Sequence, residues 1–548
     1  RFMNLAKRFS HKRVLEPLLK GEDHLTGMHA NTQIPKVIGY KRIADLEGYA
    51  DWDKAAQYFW ETVVDNRSIT IGGNSVREHF HPADDFSSML ESEQGPETCN
   101  TYNMLRLTKM LYETSGDTHY MDYYERAVYN HILSTVNPIQ GGFVYFTPMR
   151  SGHYRVYSQP QTSFWCCVGS GMENHARYGE MVYSHKGDSE LFVNLFIPSV
   201  LKWGKTTVEQ INSFPSEEGT TLVISPEKAR KFTVSIRVPE WAGNVAVKVN
   251  GAEADAKAEG GFLKVTRKWS KGDKVEVSLP MSIRAVALPD QSDNYSFMYG
   301  PVVLAAEIGR QEQLGMYADD SRGGHIAAGR QIPLQEMPVI VGSKDDIISL
   351  ITKVEGKPMT FHLSGTAPAK YENGMTLVPF SSLHECRYMV YWPVLSEDQW
   401  KERVARQEQE ENARVALEMV TADKVTCGEQ QPESDHFVKM ENSRNGDNNG
   451  RHWRMASRGG WFSYDMRTRG NEVKFLRITC TGREGSEARV MMNGTEAGTL
   501  SVKTPNTEET ILVPVPEEMQ NADVITVTVS TAQDKMSPMI YEVRLVKE

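Results

Sequence analysis

Residues 40–60 read YKRIADLEGYADWDKAAQYFW, and residues 110–130 read MLYETSGDTHYMDYYERAVYN. Each is the end of one helix, a turn carrying Gly and Asp, and the start of an aromatic-rich helix. In the first, Trp52, Ala55, Ala56, Phe59 and Val63 recur at the i, i+3, i+4, i+7 spacing that lays one apolar stripe along a helix. Asn103 to Tyr112 repeats the spacing through Leu105, Leu107, Met110 and Leu111. Ser115-Gly116-Asp117 interrupts it, and Tyr120 to Leu133 resumes it. A helical hairpin that recurs in this way is expected where helix pairs stack into a toroid. Residues 1–185 are therefore predicted to be helical, with Gly141 to Phe146 a short strand or loop among the helices.

Beyond residue 185 the apolar period changes from 3.6 to 2. Leu191 to Ile197, Phe232 to Val238, Val245 to Val249, Phe262 to Val265 and Val275 to Leu279 are short β-rich runs. Turn residues such as Asn250-Gly251 and Gly260-Gly261 separate them. Residues 186–310 are read as a β-sandwich whose last strand is Met298 to Leu304. A polar, Gly-rich stretch from Gly309 to Arg330 leads into a mixed β accessory domain over 311–405. The charged segment 406–419 is a linker helix, and 420–548 is a C-terminal β-sandwich of carbohydrate-binding type. The fold class is multidomain α + β: a partial (α/α)6 barrel, or helical toroid, followed by β-sandwich domains.

Composition narrows the function. The 548 residues carry a net charge of -10 and no run of five Lys or Arg, which argues against a nucleic-acid or anionic-membrane surface. No stretch approaches the roughly 20 apolar residues of a membrane-spanning helix. A neutral or weakly charged small substrate is the expected partner. Arg1-Phe2-Met3-Asn4-Leu5-Ala6 has no signal-peptide character and reads as the interior of an amphipathic helix.

The chain has six cysteines, and three of them lie close in sequence to one carboxylate: Glu97-Thr98-Cys99 and, further on, Cys166-Cys167. Vicinal cysteines rarely bond to each other, because the ring they would close is strained. Crowded thiolates repel unless a cation neutralises them, and Zn²⁺ suits S/O ligands in tetrahedral geometry. Buried free thiols are the competing reading, with a disulfide behind it. Cys386, Cys427 and Cys480, in the β region, read as ordinary buried thiols. Glu78, in Gly72-Gly73-Asn74-Ser75-Val76-Arg77-Glu78-His79-Phe80-His81, is either half of a surface ion pair or a general acid/base. His29 is either a satisfied polar residue or a ligand, and Tyr145 either core or site.

Glu78, Glu97-Thr98-Cys99 and Trp165-Cys166-Cys167 in a helical-toroid context resemble the β-L-arabinofuranosidases of glycoside hydrolase families 127 and 146. The stretches IGGNSVREHFHPADDF, GPETCNTYNMLRLTKMLYETSG and SQPQTSFWCCVGSG are closer to the family 146 style. The resemblance covers about residues 1–310 and implies an (α/α)6 catalytic barrel, bound zinc and a cysteine nucleophile working with retention. It makes Glu97, Cys99, Cys166 and Cys167 the zinc ligands, Cys166 also the nucleophile, and Glu78 the acid/base. His29 and Tyr145 would line the sugar site. Family members often carry another cysteine two residues before the nucleophile, where this chain has Phe164.

The implied substrate is an arabinofuranoside-bearing plant glycan, and the implied compartment is the bacterial periplasm or exterior. A full barrel of this kind needs about twelve helices and residues 1–185 supply about six, which would leave a broad apolar face uncovered. The resemblance therefore implies a chain lacking its N-terminal part, whose own activity would be weak. The alternative from another class is a non-catalytic carbohydrate-binding protein with a structural zinc site.

Overall fold

The computed structural model describes residues 2–320, 323–448 and 451–548. Arg1 lies outside them, as do residues 321 and 322 of the polar Gly309–Arg330 stretch. The chain divides into two compact units, residues 1–400 and 401–548.

The first unit opens with helices α1 (Phe2–Phe9), α2 (Lys12–Leu19), α3 (Ala30–Glu47), α4 (Ala50–Asn66), α5 (Ser87–Glu91), α6 (Thr98–Ser115), α7 (Thr118–Ala127) and α8 (Cys166–Ala176). The two quoted segments form matching hairpins, α3–α4 and α6–α7. Each first helix ends on a glycine in the left-handed region, Gly48 (φ 72°) and Gly116 (φ 70°). Their N–H groups return to the carbonyls of Ala44 and Tyr112, closing the last turn without a Cβ clash. Asp117 then caps α7 by accepting from the His119 N–H at 3.0 Å. Of the predicted stripe of α4, Ala55, Ala56, Phe59 and Val63 are fully covered and Trp52 is half-buried. Trp60, equally covered, donates its indole N–H to Thr108 of α6 at 2.8 Å. One helical turn of π type, Val128–Ile132, follows α7.

Residues 183–278 form a five-stranded and a six-stranded sheet. Leu191, Val234, Ile236 and Trp269 of one and Val208, Leu222, Ile224 and Val275 of the other share a single core, which makes this a sandwich. Strand Thr206–Ile211 alternates strictly between buried and exposed residues, as one wet face requires. The sandwich is bolted to α7 by Arg237. Its fully buried guanidinium meets the carboxylates of Asp122 at 2.5 Å and Glu125 at 2.6 Å and donates to the Asn194 carbonyl at 2.6 Å. Trp241 adds a bond from its indole N–H to Glu125 at 2.7 Å. Burial outweighs the Arg237 charge at Asp122 and pushes its carboxyl up to about 6.

Two expectations need correcting. Met298 to Leu304 does not close the sandwich. Strands Asn294–Tyr299 and Val302–Gly309 belong to a ten-stranded sheet that also contains Val339–Val341, Met375–Pro379 and Trp392–Leu395. The long irregular stretch after Gly309 separates these partners in sequence and hides the pairing. The charged helix, α9, runs Glu397–Val420 rather than 406–419, because its polar first turn carries no break signal.

The second unit is a nine-stranded sheet assembly from Thr421–Thr426 to Met539–Val546. Its core includes Phe462, Ile478, Val490, Val527 and Val543. Helices followed by several β-sheet domains make this a mixed α + β multidomain chain. Among the described residues, no helix is long and apolar enough to cross a membrane.

Candidate active site

Three helix N-termini converge on one point. Cys99 sits in the first turn of α6, Cys166 and Cys167 open α8, and Asn31 lies in the first turn of α3. The positive end of a helix favours thiolate over thiol, which makes such turns natural places for ionised sulfur. A backbone bridge between Glu97 and Phe146, with the Thr98 N–H bonded to the Tyr145 carbonyl at 3.0 Å, docks the 143–146 segment beside α6. That docking delivers the Tyr145 side chain to the same place.

The four predicted ligand atoms, Glu97 Oε1 and the sulfurs of Cys99, Cys166 and Cys167, lie within 4.8 Å of one another. Cys167 Sγ is 3.2 Å from Cys99 Sγ and 3.9 Å from Cys166 Sγ. Glu97 Oε1 is 3.8 Å from the Cys166 sulfur and 3.7 Å from the Cys167 sulfur. A tetrahedral ion with metal–sulfur bonds of about 2.3 Å and metal–oxygen bonds of about 2.1 Å sets two sulfurs about 3.8 Å apart and a sulfur and an oxygen about 3.6 Å apart. The Cys166–Cys167 spacing and both spacings to Glu97 are therefore close to fitting, and the Cys99–Cys167 spacing is short. All six cysteines are free thiols. Cys99 and Cys167 are buried, and Cys166 is exposed to the opening.

The electrostatics of the quartet call for a cation. Burial, then the charge of Cys166, pushes the Glu97 carboxyl up to about 8. Its second oxygen is buried with no hydrogen-bond partner among the described residues. Hydrogen bonds from Cys167 and Cys99 hold the Cys166 thiol far below its ordinary value, while burial raises Cys167 and the hydrogen bond with Cys166 raises Cys99. Among the three sulfurs, Cys166, the most accessible, is thus the one that ionises most readily. Behind it, Asn103 donates to Asn31 at 2.9 Å, and Asn31 donates to Glu97 Oε1 at 3.3 Å. Outer partners of this sort orient a metal-binding carboxylate.

Glu78 is presented by a tight turn. The N–H groups of Val76 and His79 each bond the other's carbonyl at 2.9 Å, and the two residues between, Arg77 and Glu78, have φ of 49° and 67°. Turns of this double-positive pattern usually carry Asn-Gly. A charged pair there is strained backbone of the sort that collects at functional sites. The Glu78 carbonyl is tied down by the Ala30 N–H at 2.8 Å. Tyr145 donates its hydroxyl hydrogen bond to Glu78 Oε1, and His29 Nε2 lies 3.8 Å from Glu78 Oε2. Burial raises the Tyr145 hydroxyl well above its ordinary value, so it stays a donor. Glu78 and His29 keep about a third of their side-chain surface in solvent.

The structure therefore brings all seven predicted residues together: the quartet at the helix N-termini, and Glu78, Tyr145 and His29 beside it. Reading the sequence missed three others. Asn31 follows His29 by two residues, and Asn103 follows Cys99 by four residues on the same helix face. His325 carried no signal in sequence. Its ring lies 4.4 Å from that of Tyr145 and 5.6 Å from those of Phe146 and Trp165.

An accessible sulfur in a cation-seeking cluster thus lies near a carboxylate on a strained turn, in a helical domain followed by β-sheets. Comparison with known proteins finds similarity to glycoside hydrolases. Residues 1–180 match the model of the GH127 catalytic domain of β-L-arabinofuranosidase, and residues 190–281 match that of its middle domain. Residues 284–394 match a domain of unknown function, and residues 416–546 a family of unknown function. No curated protein matches the sequence.

Two solved structures share the fold. One is a GH127 β-L-arabinofuranosidase from Geobacillus stearothermophilus T6, with 18% identity and a TM-score of 0.51, covering 67% of this chain and 60% of that one. The other is a GH127 β-arabinofuranosidase with 22% identity and a TM-score of 0.52, covering 72% of this chain and 64% of that one. The chain thus spans less than two thirds of the length of either structure.

Proposed function

We propose that this chain is the catalytic and accessory part of a retaining, zinc-dependent exo-β-L-arabinofuranosidase of the family 146 type, releasing L-arabinose from plant glycans. The observation that carries the reading is the exposed Cys166 sulfur in an otherwise buried ligand set. A purely structural metal site is closed, whereas a catalytic one keeps a reachable position. That accessibility counts against the non-catalytic, carbohydrate-binding alternative.

Glu97, Cys99, Cys166 and Cys167 would hold the zinc. Bound there, it supplies the positive charge that keeps the three sulfurs as thiolates at neutral pH. Cys166 Sγ attacks the anomeric carbon, and the C–O bond to the leaving group breaks. The departing oxygen keeps the electron pair and takes the proton of Glu78. Glu78, now a carboxylate, removes a proton from water as the water oxygen attacks the same carbon. The C–S bond breaks with its electron pair returning to Cys166. Two inversions restore the configuration. The hydrogen bond from Tyr145 fixes which Glu78 oxygen is engaged and leaves the other toward His29 and the sugar.

The test uses the intact protein and aryl β-L-arabinofuranosides. Wild type should release the phenol, Cys166→Ser should nearly abolish release, and Glu78→Gln should accumulate a pentosyl adduct on Cys166 with a good leaving group. Mass spectrometry placing the sugar on a carboxylate, or substantial turnover by Cys166→Ser, would refute the sulfur nucleophile.

A further inference from the structure

We propose that His325, carried by the loop that leaves the ten-stranded sheet after Gly309, is a substrate-contacting residue that hydrogen-bonds a hydroxyl group of the furanoside. This rests on the glycosidase reading above. The loop belongs to the segment matched only to a domain of unknown function, yet it is fastened to the catalytic domain on both sides of His325. Arg387, fully buried, donates to the carbonyls of Gln311, Glu312 and Arg330 at 2.9, 2.6 and 2.9 Å, and to that of Gly152 at 2.8 Å. Tyr157 and the loop pair as strands do: the Tyr157 N–H bonds the Met316 carbonyl, and the Ala318 N–H bonds the Tyr157 carbonyl, both at 2.9 Å. Past His325, the Gly329 N–H donates to the Tyr154 hydroxyl at 2.7 Å, which itself donates to the Leu314 carbonyl at 2.5 Å. Of these eight bonds, four join the loop directly to Tyr154 and Tyr157 of the catalytic domain, and Arg387 ties three loop carbonyls to that of Gly152.

The fastening holds the His325 ring over Tyr145, whose hydroxyl is bonded to Glu78, and beside Trp165, the residue before Cys166. The charges of Glu78 and Cys166 both reach the imidazole, although burial keeps it below its ordinary value. Ile326, the next residue, packs on the apolar cluster of Cys99, Tyr145, Phe146 and Cys167. The His325 Nδ1 atom is buried and has no hydrogen-bond partner among the described residues. A buried ring nitrogen without a partner costs stability, which a hydroxyl group presented by a bound sugar would recover. A neutral imidazole offers one donor and one acceptor, and a sugar hydroxyl can serve either.

The experiment measures hydrolysis of one aryl β-L-arabinofuranoside by intact wild-type, His325→Ala and His325→Asn protein, with bound zinc and thermal midpoint recorded for each. Loss of one neutral hydrogen bond to substrate should raise KM for His325→Ala roughly 2–13-fold. Zinc content and midpoint should stay at wild-type values. Asn, which keeps a donor and an acceptor near the same place, should recover part of the loss. An unchanged KM in His325→Ala, or an increase accompanied by lost zinc or a lower midpoint in both variants, would overturn this inference while leaving the glycosidase reading intact. Wild-type protein that neither hydrolyses nor binds any pentofuranoside would overturn both.

Discussion

Replacing Arg237 by Met removes the cation that meets both Asp122 and Glu125 in the junction described above while keeping much of the volume of the side chain. Removing one partner from a buried ion pair costs about 3–5 kcal/mol, because the remaining charge is left uncompensated. The cost has a pH signature. Asp122 rises from its ordinary 3.8 to about 6, which at 1.36 kcal/mol per pH unit is about 3 kcal/mol of preference for the protonated form in the folded chain.

A carboxyl whose folded value is raised contributes stability that is complete below about pH 4 and is lost as pH rises through about 6. Taking Arg237 away raises Asp122 further, so the variant has more stability to lose. Urea unfolding followed by tryptophan fluorescence should show Arg237→Met less stable than wild type by about 3–5 kcal/mol at pH 8, with a clearly smaller gap at pH 5. A gap under about 1 kcal/mol at pH 8, or one that is the same at both pH values, would refute the view that Arg237 neutralises the two carboxylates.

Three further outcomes follow from the geometry. Asn31→Ala removes the donor to Glu97 Oε1 and should weaken zinc binding about 10–100-fold, measured by competition with a chromogenic chelator. Unchanged affinity would mean that Glu97 orients itself. Tyr145→Phe deletes a hydrogen bond to a carboxylate, about 1.5–3 kcal/mol, and should lower kcat/KM roughly 10–150-fold, most for poor leaving groups. A loss equal for all leaving groups would remove Tyr145 from the proton step. In the second unit, the hydrogen bond to Asp423 raises His436, so its stabilisation is full below about pH 6.5 and fades as pH climbs through the raised value. The thermal midpoint gap between wild type and His436→Gln should therefore shrink from pH 6 to pH 9, and a constant gap would show the pair to be inert.

The helical hairpins were legible because each carries its own punctuation, a left-handed glycine and an apolar stripe of fixed period. The crowding of Glu97, Cys99, Cys166 and Cys167 was legible for a chemical reason, since adjacent thiols have few stable fates. The pairing of Met298 to Leu304 was not, because β partners are chosen across long loops and alternation alone does not say which sheet a strand joins. His325 was hidden more completely. It is one histidine in an irregular, glycine-rich run, and what places it is Arg387, some 60 residues later, bonding to main-chain carbonyls that any sequence would offer. The positive φ values at Arg77 and Glu78 were equally silent, since neither residue type announces such a turn.

The loop after Gly309 also bears on how the gene could be cut and rejoined. The segments matched by the catalytic and middle domain models end at residue 281, before the loop begins. A chimera built by exchanging modules at that border would inherit Cys166, Glu78 and the Glu97, Cys99 and Cys167 cluster, and leave behind His325 with the loop that carries it. Recombination that respects the outlines of the domains would not respect the outline of the catalytic unit, so the third module and the first can change only in step with each other.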